Sequence, residues 1–331
     1  MFIMKKIVFL FAMVLVTSMA MAQNTATTKQ TGNLQIATTT QTGALNNAMV
    51  TQNQDGTAAN NPVYMNQATV AQNGTSNSAT ILQDELGGGN KGGNDAKITQ
   101  VGNNNTSTQS TYAPGSNNGM DVEALQEGDE NTVSQSITGG FSDYFYVKQD
   151  GNLNTATQTG SNVTTNTARI NQEGMSNTAT QKLAGTNNGY YGGVYPNERV
   201  LINQVGKTNS ATQNFTGVGS SHGNSADIQQ IGDRNSAIQI GNGRNIFAEF
   251  VQTGNGNSAE SNQDGQEQQV FSNQVGDANI ITFTQEGSNN LARIFQDGDM
   301  NMGSVTQTGI GNIGTITQTG NMNQALITQS N

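Results

Sequence analysis

The stretch Gln318-Thr-Gly320-Asn-Met-Asn323-Gln-Ala325-Leu-Ile-Thr-Gln329 determines the fold of this chain. It has the form Q-x-G-x-x-N-x-A-x-x-x-Q, and the same pattern fits the segments that begin at Gln285 and Gln296. A glutamine recurs every 11 residues near both ends of the chain: Gln30, Gln41 and Gln52, then Gln252, Gln263, Gln274, Gln285, Gln296, Gln307, Gln318 and Gln329. A fixed period of this kind is typical of repeat architectures such as solenoids.

Each 11-residue unit is predicted to form one strand and one turn. In N-x-A-x-x-x-Q the Asn, the Ala, the fourth residue after the Asn and the Gln fall on alternate positions, so they share one face of a strand. The fourth position is often β-branched, as at Val50, Ile98 and Ile316. We therefore expect Asn, Ala, Ile or Val, and Gln on the inner face. The glycine of Q-x-G-x-x-N is expected to permit a turn with positive φ.

These positions are the candidate functional residues. A buried amide without a partner costs about 1–3 kcal/mol, and stacking identical amides into ladders removes that cost. The predicted ladder and polymerisation residues are Asn24, Gln30, Gln41, Asn46, Gln52, Asn279, Gln285, Asn290, Gln296, Asn301, Gln307, Asn312, Gln318, Asn323 and Gln329. The predicted turn glycines are Gly32, Gly43, Gly276, Gly287, Gly298, Gly309 and Gly320.

Two units make one full turn of the solenoid, about 22 residues long. Each such turn has a first strand (A) and a second strand (B). The predicted A strands start near Asn24, Asn46, Asn77, Asn105, Asn131, Asn154, Asn177, Asn209, Asn235, Asn257, Asn279, Asn301 and Asn323. The predicted B strands lie between them. The sequence therefore predicts an all-β fold, a β-solenoid of about twelve two-stranded turns. Between Asn105 and Gln239 the A strand is expected to shorten to N-x-A-x-Q, with the chain leaving two residues early.

Insertions interrupt the repeat on one side. The link from a B strand to the next A strand is short, as between Gln100 and Asn105. The large insertions fall between A and B strands, at Asn53–Met65, Asp84–Gly93, Ser110–Met120, Lys182–Glu198 and Asn214–Gly223. We expect one solenoid domain over residues 23–331, with loops mainly between residues 53 and 250 on one edge.

Residues 1–22 have the pattern of a targeting segment. Lys5 and Lys6 precede an apolar run from Ile7 to Val16, and small residues follow up to Ala22. This pattern predicts a secretory signal peptide that is cleaved before Gln23. The apolar run is too short to span a membrane comfortably. We therefore expect a secreted protein that does not span the membrane.

The composition argues against several classes of function. The chain has 331 residues, a net charge of -10, no Cys and one His. The absence of Cys excludes disulfides, thiolate metal sites and cysteine nucleophiles, and the acidic balance argues against nucleic-acid binding. Asn and Gln make up about a quarter of the residues, a composition usually associated with disorder. The regular repeat predicts order instead.

Two glycine motifs suggest enzyme chemistry, but loop composition explains both. The segment 219–223 matches G-x-S-x-G, and the segment 87–92 matches G-x-G-x-x-G. The first motif needs a strand, a sharp turn and a helix, and the second needs a βαβ unit. Neither context is predicted here. We therefore expect no enzyme activity and no cofactor.

Acidic and aromatic residues of the turns and loops leave two alternatives open. Asp297-x-Asp299-x-Asn301 begins like a calcium loop, but Met302 stands where that loop needs glycine. Exposed turn acids explain it better, with weak divalent-ion binding as the alternative for Asp129, Asp233 and Asp277. A tyrosine cluster in the longest loop indicates either a solvated loop or a contact with a partner: Tyr190, Tyr191 and Tyr195. No metal site is predicted.

The repeated pattern closely resembles the curlin repeat of curli fibre subunits, over nearly all of Asn24–Gln329. The resemblance implies a secreted, extracellular functional amyloid subunit that contributes to adhesion and biofilm matrix and folds as an end-to-end stacking β-solenoid. It implies that the matching Asn and Gln positions are the stacking residues. The implied partners are other copies of the chain, together with a nucleator or secretion-channel partner on the outer membrane.

The solenoid ends favour polymerisation, because no helix or polar cap is predicted at either end. The chain starts and ends on an A strand, so we expect either an offset junction between copies or displacement of one terminal strand. Two alternatives remain at this point. The first is a monomeric surface solenoid that binds ice or a glycan, and the second is a minor subunit that nucleates or anchors the fibre.

Overall fold

The computed structural model describes residues 23–32, 35–54, 65–85, 93–112, 119–139, 143–164, 166–186, 200–217 and 224–331. These residues form 25 strands, and no helix occurs among them. The strands follow from period-two alternation of small, β-branched and amide residues with exposed polar residues. The all-β prediction is confirmed.

The strands divide by parity into two parallel sheets. The odd-numbered strands form a 13-stranded sheet, called sheet A: β1 Thr25–Gly32, β3 Asn47–Gln54, β5 Ser78–Glu85, β7 Thr106–Tyr112, β9 Thr132–Thr138, β11 Thr155–Thr164, β13 Thr178–Thr186, β15 Ser210–Gly217, β17 Ser236–Arg244, β19 Ser258–Gln266, β21 Ile280–Ser288, β23 Met302–Ile310 and β25 Gln324–Ser330. The even-numbered strands form a 12-stranded sheet, called sheet B: β2 Gln35–Ala44, β4 Asn66–Thr75, β6 Asp95–Asn103, β8 Met120–Glu127, β10 Asp143–Asn152, β12 Thr167–Met175, β14 Val200–Lys207, β16 Ser225–Ile231, β18 Phe247–Thr253, β20 Gln269–Val275, β22 Leu291–Asp297 and β24 Ile313–Thr319.

Each strand pairs with the strand two places away in the chain, so each turn adds one strand to each sheet. The register aligns equivalent positions of successive repeats: β23 and β25 place Val305 beside Ile327 and Gln307 beside Gln329. This is the predicted β-solenoid. The predicted starts of the A strands are also confirmed, because each odd strand begins directly after its asparagine.

The two sheets enclose a narrow core of mixed polarity. In β3, Ala48, Val50 and Gln52 are buried, whereas Met49 on the opposite face is exposed. The apolar part of the core runs continuously from Ala48 to Ile316. Four phenylalanines are fully buried in it: Phe145, Phe215, Phe250 and Phe283. The predicted inner face is therefore confirmed, with the phenylalanines as an addition.

The two edges of the solenoid differ. Each link from a sheet B strand to the next sheet A strand is short, with two residues between Ala44 and Asn47 and four between Val275 and Ile280. The internal residues outside the described ranges all fall between a sheet A strand and the following sheet B strand. The predicted insertions lie largely outside the described residues, as does the predicted signal peptide, residues 1–22.

The prediction of shortened A strands is wrong for most of the strands between Asn105 and Gln239. β11 has 10 residues, β13 and β17 have 9 and β15 has 8, against 8 for β3, whereas β7 and β9 have 7. The glutamine sits two positions earlier in these strands, as at Gln181 and Gln213, and an apolar residue occupies the later position, as at Leu183 and Phe215. Both apolar side chains are buried. The strand still has an inner residue to bury there, so it continues.

Candidate functional site: the amide ladders and the solenoid ends

An unbroken glutamine ladder runs along the whole of sheet B. In each step the Nε2 atom donates to the Oε1 atom of the next glutamine at 2.8–3.2 Å. Its members are Gln41, Gln72, Gln100, Gln126, Gln149, Gln172, Gln204, Gln230, Gln252, Gln274, Gln296 and Gln318. Each Nε2 atom also donates across the core, as from Gln149 to the Thr132 carbonyl at 3.1 Å. The ladder therefore ties the two sheets together.

The glutamine ladder of sheet A is divided into three segments. They are Gln30–Gln52–Gln83, Gln109–Gln135–Gln158–Gln181–Gln213–Gln239 and Gln263–Gln285–Gln307–Gln329. The breaks occur where the glutamine changes position: Thr111 lies beside Gln83, and Ser261 lies beside Gln239. The Oε1 atoms of Gln109 and Gln263 are buried there without a hydrogen-bond partner among the described residues. These two breaks are the weak points of the ladder system.

A continuous asparagine ladder runs beside the corner of sheet A. The Asn279 backbone N–H donates to Asn257 Oδ1 at 3.0 Å, and Asn279 Nδ2 donates to the Gly298 carbonyl at 2.7 Å. The same backbone bond links thirteen asparagines in sequence: Asn24, Asn46, Asn77, Asn105, Asn131, Asn154, Asn177, Asn209, Asn235, Asn257, Asn279, Asn301 and Asn323. In sheet B, the Asn312 N–H donates to Asn290 Oδ1 at 3.0 Å.

The corner glycines are required by conformation and by space. Gly276 has φ +108°, and a Cβ atom there would overlap the Gly298 carbonyl oxygen. The other predicted turn glycines also have positive φ: Gly32, Gly43, Gly287, Gly298, Gly309 and Gly320. Sequence reasoning missed a second position with positive φ, two residues later, where Ala278 and Met300 have φ of 55° and 57°. No residue type marks that position, so the sequence carries no signal for it.

The turn aspartates accept backbone hydrogen bonds. Asp277 Oδ1 accepts the Asn255 N–H at 2.7 Å, and Asp299 Oδ1 accepts the Asp277 N–H at 2.9 Å. The Oδ1 atoms of Asp129 and Asp233 likewise each accept a backbone N–H from the preceding turn of the solenoid. Across the described ranges there is no group of three or more acidic or histidine side chains able to hold a metal ion. The segments 87–92 and 219–223 and the tyrosines 190, 191 and 195 lie outside the described residues.

The outer face of sheet B carries aromatic and charged side chains. Phe247 and Phe271 have ring centroids 5.1 Å apart, and Arg293 lies 5.3 Å above the Phe271 ring. The same sheet places Asp95 beside Asp121. Partial burial, with a smaller contribution from a nearby carboxylate in each case, raises the pKa of both carboxyl groups. This face therefore combines apolar patches with charges.

The outer face of sheet A is rich in hydroxyl groups between β7 and β15. Two columns of Thr and Ser side chains run across these strands: Thr106, Thr132, Thr155, Thr178 and Ser210, with Thr108, Ser134, Thr157, Thr180 and Thr212 beside them. The outer faces of the two sheets therefore differ in chemistry.

The two ends of the solenoid are complementary. β1 and β25 are the end strands of sheet A in the described part of the chain, so each has one neighbouring strand. Every glutamine ladder donates toward the C-terminal end, which leaves Gln30 Oε1 as an acceptor at one end and Gln329 Nε2 as a donor at the other. The asparagine ladder runs in the opposite sense, so the C-terminal end presents Asn323 Oδ1 as an acceptor.

The comparison with known families identifies the repeat. Residues 276–309 match the model of the curlin associated repeat. No curated protein matches the chain. The matched segment runs from the corner at Gly276 to the corner at Gly309 and contains the ladder residues Asn279, Gln285, Asn290, Gln296, Asn301 and Gln307.

The ladder geometry of the matched segment extends beyond it. The asparagine ladder and the sheet B glutamine ladder pass through it without interruption to both ends of the solenoid. The structure thus aligns every predicted ladder residue with an equivalent residue of a neighbouring turn. Within the described ranges, no helix has the length and apolar character needed to span a membrane.

Proposed function

We propose that this protein is a secreted structural subunit of an extracellular, curli-like amyloid fibre that grows by end-to-end strand pairing. One observation carries the proposal: in the described part of the chain each end strand of sheet A has a neighbouring strand on one side only, and the two ends are complementary. An end strand with unpaired N–H and C=O groups is a template for another chain, and natural monomeric solenoids cap such ends. Here β1 and β25 carry the same repeat pattern as the interior strands.

The direction of the ladders favours head-to-tail addition. When the C-terminal end of one copy meets the N-terminal end of the next, the Gln329 Nε2 donor faces a glutamine Oε1 acceptor. Two N-terminal ends would instead place acceptor against acceptor, and buried unpaired polar groups are costly. We therefore expect polar fibres in which all copies point the same way.

The location and the partners follow from the same proposal. The predicted signal peptide over residues 1–22 and the curlin repeat at 276–309 support export to the cell surface. In that setting the fibre would serve adhesion and biofilm matrix, and a nucleator or secretion channel on the outer membrane would be its partner. We assign no catalytic role to the protein.

The test is polymerisation of the purified protein from Gln23 to Asn331. We expect thioflavin-T signal, unbranched fibres in electron micrographs and fibre diffraction with the ~4.7–4.8 Å spacing of stacked strands. Protein that stays monomeric for days at high concentration would contradict the proposal. Seeds of preformed fibre should shorten the lag phase, because they supply growing fibre ends from the start of the reaction.

A second candidate function rests on the hydroxyl face of sheet A. Its columns of Thr and Ser repeat with the strand spacing of about 4.8 Å, which suits an ordered polar surface such as ice or a glycan. The test is whether monomeric protein inhibits ice recrystallisation or binds immobilised glycans. Loss of that activity in the Thr157→Leu variant, without loss of stability, would support this function. A minor subunit that nucleates the fibre would instead shorten the lag phase of another subunit.

A further inference from the structure

Two junctions between copies can be built from the described strands, because sheet A has 13 strands and sheet B has 12. In direct stacking, β25 of one copy pairs with β1 of the next, and sheet B then lacks one strand at the junction, between β24 and β2. In strand exchange, β25 displaces β1 and pairs with β3 of the next copy. Both sheets are then continuous, because β24 meets β2.

Hydrogen bonding alone does not decide between them. β1 is held to its own chain by Asn24 Oδ1, which accepts the Asn46 N–H at 3.0 Å, and by Gln30 Nε2, which donates to Gln52 Oε1 at 2.8 Å. β25 follows Asn323 and carries Gln329 in the same frame. It can therefore make every ladder bond that β1 makes with β3.

The exposed apolar residues at the two ends distinguish the two junctions. Ile313, Met322 and Leu326 at the C-terminal end are 64%, 68% and 71% exposed. At the N-terminal end the exposed apolar residues are Ile36, Leu45 and Met49. In the exchange register the repeat positions coincide in three pairs: Ile313 with Ile36, Met322 with Leu45, and Leu326 with Met49.

Direct stacking forms none of these pairs. It places Leu326 beside Thr27 and Met322 beside Gln23, and the missing strand of sheet B separates Ile313 from Ile36. Removal of apolar surface from water stabilises an interface, so the register that joins the three pairs is favoured. It also leaves no strand-sized gap in the core.

The composition of β1 makes it the strand that leaves. All eight of its residues are exposed, whereas the inward residues of β25 are partly covered. At the central inner position β1 has Thr28, where β25 has Ile327 and β3 has Val50. Replacing Thr28 by Ile327 beside Val50 extends the apolar column of the core.

We propose that polymerisation proceeds by strand exchange, in which β25 of one copy displaces β1 (Thr25–Gly32) from β3 of the next copy. The inference rests on the proposed fibre function and specifies its junction. The partner is a second copy of this chain, and the displaced β1 leaves the sheet at every junction.

A reversible disulfide tests the displacement in the full chain. Lys29 and Thr51 are paired on the outer face of β1 and β3, and paired parallel positions lie within disulfide range. The chain has no native cysteine, so the K29C/T51C variant carries one defined bond. The control is T180C/T212C, a pair on the outer face of β13 and β15 in the middle of sheet A.

We expect oxidised K29C/T51C to lose fibre growth and to regain it with reductant, while oxidised T180C/T212C grows in both states. Equal growth of oxidised and reduced K29C/T51C would overturn strand exchange and leave the fibre function standing. Failure of the unmodified protein and of all reduced variants to polymerise would instead overturn the fibre function together with this junction.

Cross-linking in mature fibres identifies the register directly. Position 328 lies beside position 51 of the next copy in strand exchange, and beside position 29 in direct stacking. We expect fibres grown from a mixture of T328C and T51C to give disulfide-linked heterodimers on oxidation, and a mixture of T328C and K29C to give none. The reverse pattern would overturn the proposal.

Discussion

Gln149 Nε2 donates to Gln172 Oε1 at 2.8 Å, and both side chains are buried. The same Nε2 atom donates its second hydrogen to the Thr132 carbonyl in the opposite sheet. An amide side chain that would be costly to bury alone thus has its hydrogen-bond partners in the equivalent glutamine of the next turn and in the opposite sheet. This relationship explains how a chain with a hydrophobic fraction of 33% forms a continuous core.

The Gln149→Ala variant should be markedly less stable. It leaves a hydrogen of Gln126 Nε2 and the Oε1 atom of Gln172 without partners. Each buried unpaired group costs about 1–3 kcal/mol. The measurement is the midpoint of denaturant unfolding, and the control is Thr157→Ala on the outer face. An unchanged midpoint would mean that the ladder does not stabilise the fold.

Two glycines in one corner allow the cost of steric overlap to be measured separately from the cost of a positive φ. Gly254 has φ +120°, and a Cβ atom there would overlap the Gly276 carbonyl oxygen, whereas Gly256 has φ +67° and open space around it. Gly256→Ala should cost about 1–2 kcal/mol. Gly254→Ala should cost more, because the stacking of turns must also shift. Equal decreases in thermal unfolding temperature for the two variants would contradict the steric role of the Gly254 position.

Much of the architecture could be predicted from the repeat alone. The Asn, Ala, β-branched and Gln positions alternate, so their inward direction and the strand starts follow from a period of two. The repeat period alone also aligns Gln307 with Gln329, as the structure does. A repeat is favourable for prediction because one local pattern places equivalent residues of successive turns side by side.

Other features could not be predicted, because they depend on contacts across the core. In β15 the inward glutamine, Gln213, comes before the inward apolar residue, Phe215, which is the reverse of the usual order. An alternating pattern is compatible with either order. The conformation of Ala278 is imposed by the corner. Arg169 lies 4.7 Å above the Tyr146 ring, a contact that needs the register of two strands 23 residues apart along the chain.

Acidic pH should stabilise the solenoid around Asp95 and Asp121. Partial burial, together with the neighbouring carboxylates, raises the pKa of both groups. An acid with a raised folded-state pKa stabilises the fold below its unfolded pKa of about 4, and this contribution is lost as the pH rises through the folded pKa. The D95N/D121N variant should therefore unfold at a higher denaturant concentration than the unmodified protein at pH 7.

The two proteins should converge below about pH 4, where the unmodified carboxyls are protonated. Lys97 is the opposing charge that acts on Asp95, and its ion pair with Glu123 at 2.8 Å remains in the variant. Asp150→Asn, an exposed substitution in the same sheet, serves as the control. A difference between D95N/D121N and the unmodified protein that does not change with pH would contradict the assigned cause.

Gln329→Met should slow fibre elongation with little effect on the folded subunit. Gln329 ends the sheet A ladder and is partly exposed, so the free protein loses the acceptor for Gln307 Nε2 near solvent. At a fibre junction the same position is buried, and the missing donor leaves a glutamine Oε1 of the next copy unpaired. The matched control is Gln324→Met on the exposed face of the same strand. Seeded elongation rates measure the effect, and a Gln329→Met rate equal to that of Gln324→Met would show that the ladder does not cross the junction.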